Sequence, residues 1–108
     1  FETNLKIEDY QYMTFTCKTK KICENLVPAI VHIDQTARPQ AVFKNTNNFL
    51  YKILSEYKKL SGVGLLINTS FNVHEEPIVE TFKDAIRSSE MSGLDFLILE
   101  NTILKIEN

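Results

Sequence analysis

The stretch from Asn47 to Asn72, NNFLYKILSEYKKLSGVGLLINTSFN, constrains the fold more than any other part of the chain. Phe49, Leu50, Ile53, Leu54, Tyr57 and Leu60 recur at helical spacing while Lys52, Glu56 and Lys59 fall elsewhere, which predicts an amphipathic helix. Asn47 or Asn48 supplies its N-cap, and Gly62 stands where a left-handed C-terminal cap belongs. Val63 to Ile67 then reads as a short apolar strand entered straight from the helix. The loop leaving the C-terminal end of such a strand is where open α/β sheets place ligands. Here that loop turns abruptly to amides and hydroxyls, Asn68-Thr69-Ser70-Phe71-Asn72.

The flanking segments suggest how a sheet is completed. Met13, Phe15 and Cys17 alternate with Thr14, Thr16 and Lys18, the period of a half-buried strand. Lys18 to Glu24 reads as a polar turn, Pro28 to Ile33 as a β-branched strand, and Ala41-Val42-Phe43 as a resumed extended segment. Thr81-Phe82-Lys83-Asp84 resembles a capping box at the start of a second helix that Gly93 closes. Asp95 to Leu99 and Thr102 to Ile106 form a predicted hairpin around Glu100-Asn101. The expected fold is therefore α/β of mixed, α+β-like type: a twisted mixed sheet with two main helices, in one domain spanning residues 1 to 108.

Composition excludes several classes of function. The chain has 108 residues, 12 basic and 14 acidic side chains and a net charge of -2, so it lacks the cationic face that nucleic-acid binding demands. Its one local cluster of cations is Lys18, Lys20 and Lys21. No apolar run reaches the roughly 20 residues of a membrane span, and Phe1-Glu2-Thr3-Asn4 does not begin a signal pattern. The chain opens on Phe1 rather than Met, as a piece of a longer protein would. Cys17 and Cys23 lack zinc spacing and are expected to be two reduced thiols, which suits a cytoplasmic location. His32 and His74 complete no metal-ligand set, so no metal site is expected within this piece; His32 reads as a core histidine and His74 as solvated.

Two places could hold chemistry. Asn68, Thr69, Ser70 and Asn72 offer donors and acceptors that orient a phosphate or carbamoyl group without adding negative charge, or else satisfy the backbone of their own loop. Arg38 is the only cation in Thr36-Ala37-Arg38-Pro39-Gln40, and Pro39 biases it towards extended backbone. A guanidinium there can grip two phosphate oxygens at once, or can be an ordinary exposed or salt-bridged arginine.

Taken together, VHIDQTARPQAVF, YKILSEYKKLSGVGLLINTSFNVHEEPIV, DAI and GLDFLIL resemble the C-terminal region of the large carbamoyltransferases, which modify nodulation factors, cephalosporins and aminoglycosides by O-carbamoylation. The similarity runs from about Tyr10 to Ile106. It implies a YrdC-like α/β domain, here incomplete, which takes carbamoyl phosphate and ATP, with Mg accompanying the nucleotide, and forms a carbamoyl-adenylate. A separate N-terminal actin-like domain, carrying the metal ion of the full enzyme, passes the carbamoyl group to an acceptor hydroxyl. The resemblance implies Arg38 and Ser70 as catalytic positions, Asn68 as a further lining residue at carbamoyl phosphate, and Asn72 as a contact to nucleotide phosphate. It also leaves room for a homodimer, or for a non-catalytic module that packs on the N-terminal domain.

The resemblance breaks at three places. The Lys-x-Arg type element of YrdC-like folds has no match, Lys18-Thr19-Lys20 being a poor substitute. Where the family carries glycine before Thr-Ala-Arg this chain has Gln35, and where it carries glycine before Glu-Pro this chain has Glu75. Glycine permits a positive φ, so both loops are expected to differ in shape, weakening nucleotide binding.

Overall fold

A computed structural model describes residues 1–3 and 5–106; Asn4, in the segment read for a signal pattern, lies outside the described residues. The protein is mixed α and β, and it divides into two compact units, Phe1–Ile67 and Asn68–Asn108. Among the described residues the strands form two antiparallel pairs. No helix of the described residues is long and apolar enough to cross a membrane.

In the first unit, β1 (Cys17–Lys18) pairs with β2 (Thr36–Ala37) in the register Cys17 to Ala37 and Lys18 to Thr36. Cys17 and Ala37 are buried at that pairing, as is Tyr10, which ends a 3-10 turn over Ile7–Tyr10 and meets Phe15 edge-on at 6.4 Å. The alternation from Met13 yields a strand only at its end, because Met13 itself takes a left-handed φ of 55°. The expected strand from Pro28 to Ile33 is a 3-10 turn over Pro28–Ile30: proline fixes φ and has no N–H for a ladder, while Ile30 and Val31 donate back to Val27 and Pro28. The polar turn expected over Lys18 to Glu24 ends in a short helix, α1 (Ile22–Leu26), and Ala41 to Phe43 is not in a strand.

The predicted amphipathic helix is α2 (Asn48–Ser61). Asn47 caps it, accepting from the Leu50 amide at 3.0 Å, and Gly62 ends it at φ 79° with its N–H on the Lys58 carbonyl. Lys58 and Lys59 sit in the last turn, where they oppose the negative end of the helix dipole. The apolar stripe is present but not buried: Phe49 is 75% exposed and Leu60 88%. Val63 to Ile67 does not form the expected strand. A strand needs a hydrogen-bonded neighbour, and among the described residues none pairs with it, so Ile67 is 61% exposed.

The second unit follows the sequence closely. Helix α3 (Phe82–Met91) starts at a capping box in which Thr81 Oγ1 accepts from the Asp84 amide, while Asp84 Oδ2 accepts from the Thr81 amide and hydroxyl. It ends in a Schellman motif: Gly93, at φ 62°, donates to Glu90 and Leu94 donates to Ser89. Ala85, Ser88 and Ser89 lie one turn apart on the buried side, and Ser89 returns its hydroxyl to the Ala85 carbonyl at 2.7 Å. These small side chains let α3 pack against the hairpin of β3 (Phe96–Leu99) and β4 (Thr102–Lys105). Leu97 is buried there and pairs across the ladder with Leu104; Phe96 and Ile98 point to the exposed face, as strand alternation requires.

Thr81→Ala is expected to lower the stability of this unit by about 1 kcal/mol, read from urea unfolding. Hydrogen bonds from Thr81, first its hydroxyl and then its amide, hold the Asp84 carboxyl below the ordinary aspartate value. Because the folded value is depressed, the cap's contribution is present above that ordinary value and is lost as pH falls through the lower one. Acid titration of α3 amide protection should show this loss, and Asp84→Asn should blunt it.

Candidate functional site

The segment before Arg38 is a closed turn built from its own side chains. Gln35 takes a left-handed φ of 63°, donates its N–H to the His32 carbonyl at 2.9 Å, and so brings Thr36 back beside His32, whose N–H donates to the Thr36 carbonyl at 2.8 Å. Asp34 Oδ1 accepts from the Thr36 amide at 3.1 Å and from its hydroxyl at 2.7 Å. With the hydroxyl proton given to the carboxylate, Thr36 Oγ1 accepts from His32 Nδ1 at 3.0 Å, which assigns the Nδ1–H tautomer to a neutral ring. The Thr36 hydroxyl, and next its amide, draw the Asp34 carboxyl below the ordinary aspartate range. Thr19 closes the turn from outside, its N–H and hydroxyl both donating to the Gln35 carbonyl at 2.9 and 3.0 Å. His32 is therefore exposed and hydrogen-bonded in a turn, not a core histidine, and Ile33 at the tip is fully in solvent.

Arg38 leaves this turn at its last paired residue. Ala37 points inward and is buried, so strand alternation sends Thr36 and Arg38 to the opposite side, where Arg38 is exposed. Beyond it, Gln40 Nε2 donates to the Gln11 carbonyl and the Ala41 amide to the Tyr10 carbonyl, at 3.1 and 2.9 Å. The arginine thus sits on backbone anchored on both sides. Among the described residues no carboxylate is within ion-pair distance of it. The β1–β2 register also sets Lys18 opposite Thr36, so the one basic cluster of the sequence borders the arginine turn.

Asn68, Ser70 and Asn72 share one irregular, exposed segment and do not close a buried strand as the sequence suggested. Phe71 takes φ 50°, its N–H reaching Thr69 Oγ1 at 3.4 Å and its carbonyl accepting from Val79 at 3.2 Å. Asn72 Nδ2 donates to the Glu76 carbonyl at 2.8 Å and to Val73 at 3.3 Å, stapling the following turn. Glu75 in that turn has φ 67°, and Glu76 pairs with Arg87 at 2.5 Å. Of the two uses the sequence left open for these side chains, Asn72's amide nitrogen serves the loop, while Ser70 faces solvent.

Arg38 belongs to the first unit and Asn68, Ser70 and Asn72 to the second. An open hollow of about 410 Å³ in the first unit, lined by Glu2, Thr3, Leu5, Tyr10, Thr16, Cys17 and Lys18, includes none of the four. Among the described residues no three of His, Cys, Asp and Glu converge as metal ligands, so no step of chemistry is assigned to a protein-held metal here. Cys17 and Cys23 are free thiols, and burial raises the Cys17 pKa above its ordinary value, which disfavours the thiolate. Sequence reasoning missed the His32–Asp34–Thr36 network. Its signal was the Asp-x-Thr spacing of an Asx turn, overlooked because the apolar neighbours suggested a strand.

The family described as "Carbamoyltransferase C-terminus" matches residues 1–105. An uncharacterized protein of Synechocystis is 40% identical over 103 residues, covering 95% of this chain and 17% of that relative. The nodulation protein NolNO of Sinorhizobium fredii is 33% identical over 105 residues, covering 97% of this chain and 15% of its own length. A nodulation protein U of the same species is 44% identical over 63 residues, 58% of this chain and 11% of that protein. The chain thus spans about one sixth of the length of the first two relatives.

Gln35 and Glu75, which stand where glycine was expected, hold the left-handed backbone that glycine favours. A non-glycine residue pays about 1 kcal/mol or more for that conformation, whereas glycine forfeits roughly 0.5–1 kcal/mol of chain entropy. Gln35→Gly and Glu75→Gly should therefore be neutral to mildly stabilising in urea unfolding, and Gln35→Val, β-branched, should cost more than about 1 kcal/mol.

Proposed function

Because the chain belongs to the carbamoyltransferase family, whose C-terminal domain it matches over residues 1–105, we propose that it is the C-terminal part of an O-carbamoyltransferase acting on carbamoyl phosphate and ATP. The observation that carries the reading is Arg38: a guanidinium held on doubly anchored backbone, exposed, and with no carboxylate among the described residues to neutralise it. Such a fork is built to take two oxygens of a phosphate. The reaction balances when carbamoyl phosphate gives up inorganic phosphate to water and a carbamate oxygen attacks the α-phosphorus of ATP. Pyrophosphate then leaves, and carbamoyl-adenylate remains. Crowding these anions is costly, and fixed donors lower that cost in the transition state. Arg38 serves as the cation; Asn68 and Ser70 serve as neutral donors to carbamoyl phosphate, and Asn72 contributes near the nucleotide. Magnesium arrives with ATP. Transfer to the acceptor hydroxyl belongs to an N-terminal region, so the 108-residue chain alone is inactive. The free thiols Cys17 and Cys23 fit the reducing cytoplasm.

A second reading, an interdomain or dimerisation module, draws support from the uncovered stripe of α2, Phe49 and Leu60 above all. An occluded Ser70 loop would favour that reading further, whereas Ser70 is exposed.

Calorimetric titration of the full-length protein with carbamoyl phosphate tests the proposal. Arg38→Ala should weaken binding by about 10- to 100-fold, the value of a charge-assisted hydrogen-bond pair, with Arg38→Lys intermediate. Pyrophosphate release should fall with it. Wild-type affinity in Arg38→Ala would remove the basis for the assignment.

A further inference from the structure

We infer that His32, Asp34 and Thr36 are positioning residues for Arg38: their hydrogen-bond chain presets the turn from which the guanidinium is presented to a phosphate-bearing ligand. The inference rests on the carbamoyl phosphate reading for the identity of that ligand, and on geometry for the rest. His32 Nδ1 donates to Thr36 Oγ1 and Thr36 donates in turn to Asp34 Oδ1, at 3.0 and 2.7 Å, so one hydroxyl ties both ends of a five-residue loop. Backbone bonds already close that loop, from His32 to Thr36, from Gln35 to His32 and from Thr19 to Gln35, yet its Gln35 occupies a left-handed conformation that costs a non-glycine residue energy. The side-chain chain compensates where the strain sits.

The connection to Arg38 is short and rigid. Thr36 and Ala37 are paired to Lys18 and Cys17, and Ala37 is buried, so the turn and Arg38 are joined by two residues of fixed backbone. All three networked side chains are largely or partly solvent-accessible and none fills the core. Core packing therefore does not explain why three hydrogen-bonding groups converge here. Presetting the arginine does, because an ordered binding group forfeits less entropy on capture of its ligand.

Thr36→Val removes the shared hydroxyl and keeps the strand-favouring shape; Thr36→Ser restores it, and Asp34→Ala breaks the chain independently. In Thr36→Val and Asp34→Ala, hydrogen exchange at the Gln35 and Thr36 amides should speed up by about tenfold while α2 amides stay unchanged. Carbamoyl phosphate binding to the full-length protein should weaken by about three- to tenfold, with Thr36→Ser close to wild type. Unchanged exchange at residues 35 and 36 overturns the inference whatever the ligand does. Faster exchange with wild-type affinity also overturns it, provided Arg38→Ala still loses binding. Should the wild-type protein not bind, or Arg38→Ala bind normally, the carbamoyl phosphate reading fails and the positioning role for that ligand falls with it.

Discussion

The pairing of two residues with two, Cys17–Lys18 against Thr36–Ala37, is the constraint on which the first unit depends. It is the place where a segment near the N-terminus and the arginine turn share a ladder, and it buries Cys17 and Ala37 with Tyr10 nearby in sequence to β1. So short a ladder is weak by itself. It is reinforced at its Lys18–Thr36 end: Glu2 donates to the Lys18 carbonyl, and Thr19 grips Gln35 through two donors. The effect is to hold the backbone around Arg38 with hydrogen bonds rather than with a large core. The role proposed for Arg38, presenting a charge, asks for anchored backbone more than for a buried surface.

The second unit solves the same problem differently. Its helix is closed at both ends by local motifs and carries small side chains at 85, 88 and 89 on the side facing the hairpin, so a few apolar residues such as Leu97 suffice to seat it. Asn72 extends that order outward by stapling the turn that contains Glu75, and the Glu76–Arg87 pair ties the turn to α3. The pair is partly exposed and worth little energetically. Its contribution is direction: the loop after Ser70 has one preferred course.

Local rules were legible in the sequence and pairing was not. Asn47, Gly62, Thr81, Asp84 and Gly93 each act through groups within five residues, so α2, α3 and their limits could be read from spacing. The hairpin of residues 96 to 105 was readable for the same reason, its partner being next in the chain. Strands over 13–18, 28–33 and 63–67 depended on distant partners, and apolar content cannot specify those; the left-handed Met13 then limited the first to Cys17–Lys18, and proline at 28 turned the second into a 3-10 turn. Arg38 and Ser70 were readable as exposed polar positions. What escaped was the support beneath Arg38, since His32 looks like a member of a strand and Asp34 like the polar break after it, until the turn at Gln35 folds both onto Thr36.

Non-glycine residues with positive φ are scarce in proteins because the side chain meets the backbone, and each costs about 1 kcal/mol or more. Five occur among the described residues: Met13, Gln35, Phe71, Glu75 and Glu100. Three of these five lie in the segments carrying Arg38, Ser70 and Asn72, and each of the three has hydrogen bonds that hold it in place. The Gln35 carbonyl accepts twice from Thr19, the Phe71 carbonyl accepts from Val79, and the turn holding Glu75 is stapled by Asn72. A backbone held in one conformation beside the proposed site residues would give a ligand fewer alternatives to select against. At Gln35 and Glu75 the chain thus holds a positive φ of the kind glycine allows, with less conformational freedom than glycine would bring.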